Sequence, residues 1–193
     1  MKIALIRHGR TDWNAQGRVQ GRVETSLSAE GRAHMAALAP PAGFEHVRAF
    51  VSPQRRARET AALLGIENPI VDARLREQNW GEWEGLTKAE MVARDGEDCL
   101  IRAGRGLAFR PPGGESSEEL AARVHDFLVA TGRSEADAVA VAHMGVLRAA
   151  YAVATGWDMA TPFAAPIDLS AALILSVAGT RIAVDRVCPL PKK

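Results

Sequence analysis

The sequence predicts an α/β fold: a three-layer sandwich in which helices flank both faces of a mostly parallel central sheet. Short apolar runs typical of buried strands alternate along the chain with helical segments that carry recognisable caps. This alternation favours parallel strands joined by helical crossovers. The last two apolar runs, 173–177 and 181–187, are separated by a turn at Gly179 and predict an antiparallel hairpin.

The other elements follow from the same signals. Further strands are expected at residues 3–6, 47–51, 69–71 and 138–142. Helices are expected after the N-caps Ser28, Ser52, Thr87 and Ser116, and again over residues 145–155. Pro53 follows Ser52 and suits the first helical position. Residues 8–27 read as a loop, and 78–114 as an irregular insertion on the substrate side of a single domain, 1–193.

Composition limits the classes of function. At 193 residues and 47% hydrophobic content, the chain is long enough for one well-formed core. Lys+Arg 24 against Asp+Glu 23 gives no overall basic charge for nucleic acid. No apolar run suits a bilayer or a signal peptide, and Cys99 and Cys188 lack metal-type spacing. We expect a cytoplasmic protein with reduced thiols. We expect it to be a monomer or homodimer and to bind neither nucleic acid nor membrane.

Basic side chains follow three of the predicted strands where each strand ends. Arg7 and His8 follow the first strand, Arg56 lies in the first turn of the helix after the second, and His143 follows the fourth. The carboxyl ends of parallel strands meet at one edge of a sheet, where open α/β folds bind ligands. Guanidinium groups and helix N-termini both bind phosphate. The pattern predicts an anion site there, without deciding which histidine reacts.

Five blocks carry a specific family signal. They are LIRHGRTDWN at 5–14, SPQRRARETA at 52–61, LREQNWGEWEG at 75–85, PGGES at 112–116 and VAHMGVLR at 141–148. In this order they resemble the histidine phosphatase superfamily, also called the phosphoglycerate-mutase-like family. The third block and the short middle segment are most similar to α-ribazole phosphatases and broad-specificity phosphatases of that family.

The resemblance assigns roles to residues at the predicted edge. His8 would attack phosphorus and form a phosphohistidine, which a neutral imidazole can do near pH 7. Arg7, Arg56 and His143 would hold the equatorial oxygens in the transition state. Asn14 matches a position that supports the phosphate pocket. The substrate would be a small-molecule phosphate ester, and no metal or other cofactor is expected, since the arginines supply the charge.

Glu77 occupies the position of the family's acidic residue. It would protonate the leaving oxygen and then take a proton from the water that hydrolyses the phosphoenzyme. Acting as an acid near pH 7 requires a raised pKa, so we expect Glu77 to be partly desolvated.

Other functions remain open. A cofactor-dependent phosphoglycerate mutase resembles this pattern but has a longer middle insertion and must keep water from its phosphohistidine. A metallohydrolase could use His8, His143 and Glu77 as ligands, although Arg7 and Arg56 would repel the cation. A degenerate phospho-ligand-binding module is the non-enzymatic alternative.

Six residues have undecided roles. Met144 departs from the glycine usual at its position and can narrow the phosphate pocket. The others are aromatic or basic residues that either contact substrate or serve the core and the solvated surface: Trp80, Trp83, Arg102, Arg105 and Arg110.

Overall fold

The protein is described here by a computed structural model. It covers residues 1–102, 105–163, 165 and 167–193, without the side chains of residues 101 and 102. The strands are β1 (Lys2–Arg7), β2 (Arg48–Val51), β3 (Ile70–Val71), β4 (Ala138–Ala142), β5 (Ala171–Ala178) and β6 (Arg181–Pro189). The helices are α1 (Asp12–Ala15), α2 (Ala29–Ala36), α3 (Arg55–Leu63), α4 (Lys88–Asp95), α5 (Asp98–Arg102), α6 (Ser117–Gly132) and α7 (Met144–Thr155). Two 3-10 turns cover Ala73–Leu75 and Gly81–Trp83.

The six strands form one mixed sheet in the order β3-β2-β4-β1-β5-β6. The pairs β3/β2, β2/β4 and β4/β1 are parallel, whereas β5 is antiparallel to both β1 and β6. The mostly parallel sheet and the final antiparallel hairpin are therefore confirmed. Strand β1 lies between β4 and β5, near the middle of the sheet. Its carboxyl end therefore lies near the middle of the sheet edge at which open α/β folds bind ligands.

Two hydrophobic cores, one on each face of the sheet, produce the three layers. Ile3 and Leu5 pack with α6 and α7 in one core, and Ala4 and Ile6 pack with α2 and α3 in the other. This alternation is the period-2 geometry of a strand covered on both faces. All four residues are 0% exposed, which explains why β1 reads as a continuous apolar run.

Three local predictions need correction. Ser52 does not cap a helix, since α3 begins at Arg55 with Gln54 as its N-cap. The predicted loop at 8–27 contains the short helix α1, which Thr11 and Asn14 close with a capping box. Segment 78–114 is more regular than expected, because it contains α5 and a 3-10 turn besides the helix capped at Thr87.

Within the described residues, none of the helices combines the length and the apolar character needed to span a bilayer.

Candidate active site

The carboxyl ends of β1, β4 and β2 bring two histidines and a serine together. The strand register continues one residue beyond the sheet: His8 N donates to Ala142 O at 2.9 Å, and Ser52 N donates to Val141 O at 3.0 Å. The next residue after β4 is His143. The rings of His8 and His143 lie 5.1 Å apart between centroids, and the two residues are 3% and 0% exposed.

One hydrogen bond defines the tautomer of His8. Its Nδ1 lies 2.7 Å from the carbonyl oxygen of Gly9. Because a carbonyl oxygen only accepts, the proton is on Nδ1, and Nε2 carries the lone pair. Burial lowers the pKa of His8 well below its usual value of 6.5, and the charges of Arg56 and Arg7 lower it further. The ring is therefore neutral at physiological pH, with a nucleophilic Nε2.

In His143 the other ring nitrogen, Nε2, makes the hydrogen bond. Its Nε2 lies 2.8 Å from Ser52 Oγ, and that oxygen accepts a hydrogen bond from Gln54 N at 3.4 Å. Donation of the Ser52 hydroxyl proton to Nε2 satisfies both groups and places the imidazole proton on Nδ1. Burial, followed by the charge of Arg56, lowers the pKa of His143 well below 6.5. His143 is thus a neutral ring whose Nδ1 can donate.

Two arginines add positive charge to this edge. Arg56 is 0% exposed, and its guanidinium donates to Val23 O at 2.9 Å and to Gly21 O at 2.7 Å. The buried nitrogens Arg7 Nε, Arg56 Nε and His143 Nδ1 have no acceptor among the described residues. A buried donor without an acceptor costs about 1–3 kcal/mol. An anion at this edge would supply acceptors for all three.

The carboxylate of Glu77 lies at the N-terminus of α7. It accepts hydrogen bonds from Gln78 N at 2.8 Å and from Gly145 N at 3.2 Å, and the residue is partly buried, as expected. Gly145 makes this approach possible, because a Cβ at that position would collide with Glu77 Oε1. The side chain of Gln54 also fixes the loop by accepting from Glu77 N at 2.7 Å.

The charge of Glu77 acts on three guanidinium groups. Burial lowers the pKa of Arg7, Arg56 and Arg148, and the negative charge of Glu77 partly offsets this effect at each of them. The charge of Glu77 therefore acts at the same edge of the sheet as the charges of Arg7 and Arg56. No group of three or more His, Cys, Asp or Glu side chains in the described part of the chain is placed to hold a metal ion.

A cleft of about 130 Å³ adjoins Glu77. Trp80, Met144 and Arg148 contribute to its walls, and Arg148 also lies 5.4 Å from the ring centre of Trp157. Met144 is the first residue of α7, and its side chain lines this cleft together with Glu77.

The remaining predicted residues fall into different places. Asn14 closes the capping box of α1: its Oδ1 accepts from both Thr11 N and Thr11 Oγ1 at 3.0 Å. Trp83 is 3% exposed and packs in a separate core with Met91. Arg110 forms an exposed ion pair with Glu119.

Arg102 and Arg105 are the other two basic residues whose roles the sequence left undecided. Arg105 lines a separate groove with Trp83, and the side chain of Arg102 lies outside the described residues.

Sequence reasoning missed the residues that hold the others in place. Ser52 was mistaken for a helix cap, and Gln54, which contacts both Gly21 and Glu77, has no chemical signature of its own. The position of Ser52 directly after a buried strand, as with His8 and His143, was a usable signal.

Comparison with known proteins decides the family. The sequence pattern of the histidine phosphatase superfamily (branch 1) matches residues 3–188. The chain belongs to this superfamily. Glucosyl-3-phosphoglycerate phosphatase of Mycobacterium tuberculosis is 37% identical over 162 residues, covering 77% of this chain and 72% of that protein. The metal-independent phosphoserine phosphatase of Arabidopsis thaliana is 34% identical, with coverage of 78% and 67%.

Mutases also occur among the similar proteins. The 2,3-bisphosphoglycerate-dependent phosphoglycerate mutase 2 of Gloeobacter violaceus is 35% identical, with coverage of 63% of this chain and 58% of the mutase. Among solved structures, a mycobacterial glucosyl-3-phosphoglycerate phosphatase in complex with VO3 superimposes with a TM-score of 0.77 at 32% identity, covering 95% and 96% of the two chains. The α-ribazole phosphatase of Shigella flexneri gives a TM-score of 0.81 at 23% identity, with coverage of 98% and 96%, and shares the fold.

Proposed function

We propose that the protein is a metal-independent phosphatase that hydrolyses small-molecule phosphate monoesters through a phosphohistidine on His8. The observation that carries this proposal is the tautomer of His8, whose Nδ1 proton is engaged by Gly9 O at 2.7 Å. This leaves Nε2 free to attack, in a pocket where buried donors on Arg7, Arg56 and His143 await an acceptor. Family membership and the phosphatases among its relatives support the same activity.

In the first step, His8 Nε2 attacks phosphorus, the P–N bond forms and the P–O bond to the leaving group breaks. Arg7, Arg56 and Nδ1–H of His143 stabilise the charge on the equatorial oxygens. The departing oxygen takes a proton from Glu77. The small cleft beside Glu77 accommodates the leaving group.

In the second step, water replaces the alcohol. Glu77, now a carboxylate, accepts a proton from the water as its oxygen attacks phosphorus. The P–N bond breaks, and neutral His8 and inorganic phosphate are released. The hydrogen bond from Nδ1 to Gly9 O persists through the cycle and keeps Nε2 directed at phosphorus.

A phosphoglycerate mutase is the alternative that the relatives keep open. A mutase retains its phosphohistidine until a second alcohol arrives, which requires the exclusion of water. The segment 78–114 is shorter than the middle insertion of a mutase, so fewer residues are available to shield a phosphohistidine from water. We therefore favour hydrolysis over transfer.

The decisive experiment measures hydrolysis of an aryl phosphate in excess chelator. Wild type should turn over, His8→Ala should not, and His46→Ala, which alters an exposed histidine, should match wild type. Activity that survives in His8→Ala would exclude His8 as the nucleophile. Loss of wild-type activity in chelator would instead indicate a metal-dependent reaction.

A trapping experiment separates hydrolysis from transfer. With a substrate that carries a radioactive phosphate, rapid acid-free quenching should capture labelled phosphate on His8 in wild type. After complete turnover, the label should appear as inorganic phosphate. Label recovered mainly in an added phosphoglycerate would identify a mutase.

The free thiols Cys99 and Cys188 suit the reducing cytoplasm, which we propose as the compartment.

A further inference from the structure

We propose that the ion pair between Glu115 and Arg123 positions Glu77 for proton transfer. Both are positioning residues, because they act on the loop that carries the acid and not on the substrate. The inference rests on the proposed function, in which Glu77 is the general acid. It also gives a role to the PGGES block at 112–116, which the proposed mechanism does not otherwise use.

The pair is bidentate and largely shielded from solvent. Arg123 Nε lies 2.6 Å from Glu115 Oε1, and Arg123 Nη2 lies 2.9 Å from Glu115 Oε2. The two side chains are 17% and 11% exposed. Burial opposes the charged form of Glu115, but the hydrogen bond and charge of Arg123, together with the Asn79 N–H and the charge of Arg22, outweigh it and lower the pKa of this carboxyl. A bidentate pair of this kind fixes geometry, unlike a mobile surface pair.

Arg123 uses its remaining donors on the loop before and at the acid. Its Nη1 donates to the carbonyl oxygen of Arg74 at 2.5 Å, and its Nη2 donates to the carbonyl oxygen of Glu77 itself at 3.2 Å. One guanidinium therefore joins α6 to both ends of the four-residue stretch 74–77.

Glu115 holds the loop just after the acid. Its Oε2 accepts from Asn79 N at 3.2 Å, and its own backbone N donates to Asn79 O at 2.9 Å. Its carbonyl oxygen accepts from Gln78 Nε2 at 2.9 Å. The pair thus fixes the loop on both sides of Glu77.

The loop depends on such contacts because it has little regular structure. It runs between the 3-10 turns Ala73–Leu75 and Gly81–Trp83. The carboxylate of Glu77 must also stay within reach of Gly145 N, at 3.2 Å. A shift of about 1 Å in a catalytic group can reduce a rate by about 100-fold, so the ion pair sets how well Glu77 can deliver its proton.

The test compares two esters with different leaving groups. In Glu115→Gln and the milder Arg123→Lys, kcat/KM for phenyl phosphate should fall about 10-fold more than kcat/KM for 4-nitrophenyl phosphate, because a good leaving group needs little protonation. Arg110→Gln is the matched control, because it removes another arginine that is paired with a carboxylate on α6. Arg110 Nη2 donates to Glu119 Oε1 at 2.7 Å, and Arg110 Nη1 donates to Gly114 O at 3.0 Å. It should reduce neither activity. Equal losses for both esters in the folded variants would overturn the proposal.

Two further measurements separate this inference from the proposed function. In a Glu77→Gln background, Glu115→Gln should add no further leaving-group dependence, whereas additive effects would show that the pair acts elsewhere. Amide hydrogen exchange at Asn79 and Gly145 should accelerate in Glu115→Gln but not in Arg110→Gln. Unchanged amide exchange in Glu115→Gln would refute the positioning role, whatever reaction the protein catalyses. The assay of His8→Ala tests the proposed function independently.

Discussion

Ser52 Oγ lies 2.8 Å from Nε2 of His143, and both residues are 0% exposed. The serine hydroxyl is the partner that directs the imidazole proton to Nδ1. Since Nδ1 is one of the buried donors without an acceptor among the described residues, this hydrogen bond determines which ring nitrogen can donate to the phosphate of the proposed reaction.

Ser52→Ala should therefore lower kcat for aryl phosphates by about 10-fold, the effect of losing one buried hydrogen bond of roughly 1–2 kcal/mol. His143 would retain its place but lose the preference for the Nδ1–H tautomer. Nitrogen-15 NMR of the ring should show a changed tautomer ratio. Ser134→Ala removes a hydroxyl bonded to Thr131 O and should leave kcat unchanged. An unaltered ratio in Ser52→Ala would refute the assignment.

Gly145→Ala should displace the acid without unfolding the protein. Alanine favours the helix by about 1 kcal/mol relative to glycine, so the thermal midpoint should not fall. The new Cβ would collide with Glu77 Oε1, and hydrolysis of phenyl phosphate should drop by up to about 100-fold. Hydrolysis of 4-nitrophenyl phosphate should fall much less. Equal rates for variant and wild type with both esters would show that Glu77 does not need this position.

Met144 should limit the size of the leaving group. The adjoining cleft holds about 130 Å³, and an engineered cavity of about 150 Å³ binds benzene. Met144→Ala should raise kcat/KM for naphthyl phosphate relative to phenyl phosphate by about 10-fold, the scale on which pocket size discriminates. Leu107→Ala changes an exposed apolar side chain and should not alter the ratio. A constant ratio in Met144→Ala would exclude this role.

The buried histidines should make stability depend on pH. Burial keeps the pKa of both His8 and His143 well below 6.5 in the folded protein, whereas in the unfolded chain each returns to its usual value. Below pH 6.5 the unfolded chain therefore binds more protons. The free energy of unfolding should fall as pH decreases, by up to about 1.4 kcal/mol per unit of pH for each histidine.

Urea unfolding between pH 7.5 and 5 tests this, because most carboxyl groups titrate below that window. His143→Asn should halve the slope with pH. A free energy of unfolding that stays constant over the window would contradict the expected protonation states.

Several features of the fold could be predicted from the sequence because they are local. The continuous apolar run of β1 identifies a strand buried on both faces, and the capping boxes at Thr87 and Ser116 correctly mark the starts of α4 and α6. Strand-to-helix junctions place His8 and His143 at one sheet edge for the same reason. A two-residue strand such as β3 was predicted less well at its boundaries, since it has almost no pattern to detect.

The sequence by itself determined the α/β class, the residues that meet at the carboxyl edge and, through the five blocks, the family. Only the tertiary structure decided how those residues are held. Ser52 and Pro53 have the local pattern of a helix start, and local propensity contains no information about the pairing of β2 with β4. That pairing places Ser52 beside His143. Glu77 lies in a loop fixed by Gln54, Glu115 and Arg123. These contacts join residues far apart in sequence, and a periodicity of two or 3.6 residues contains no information about them.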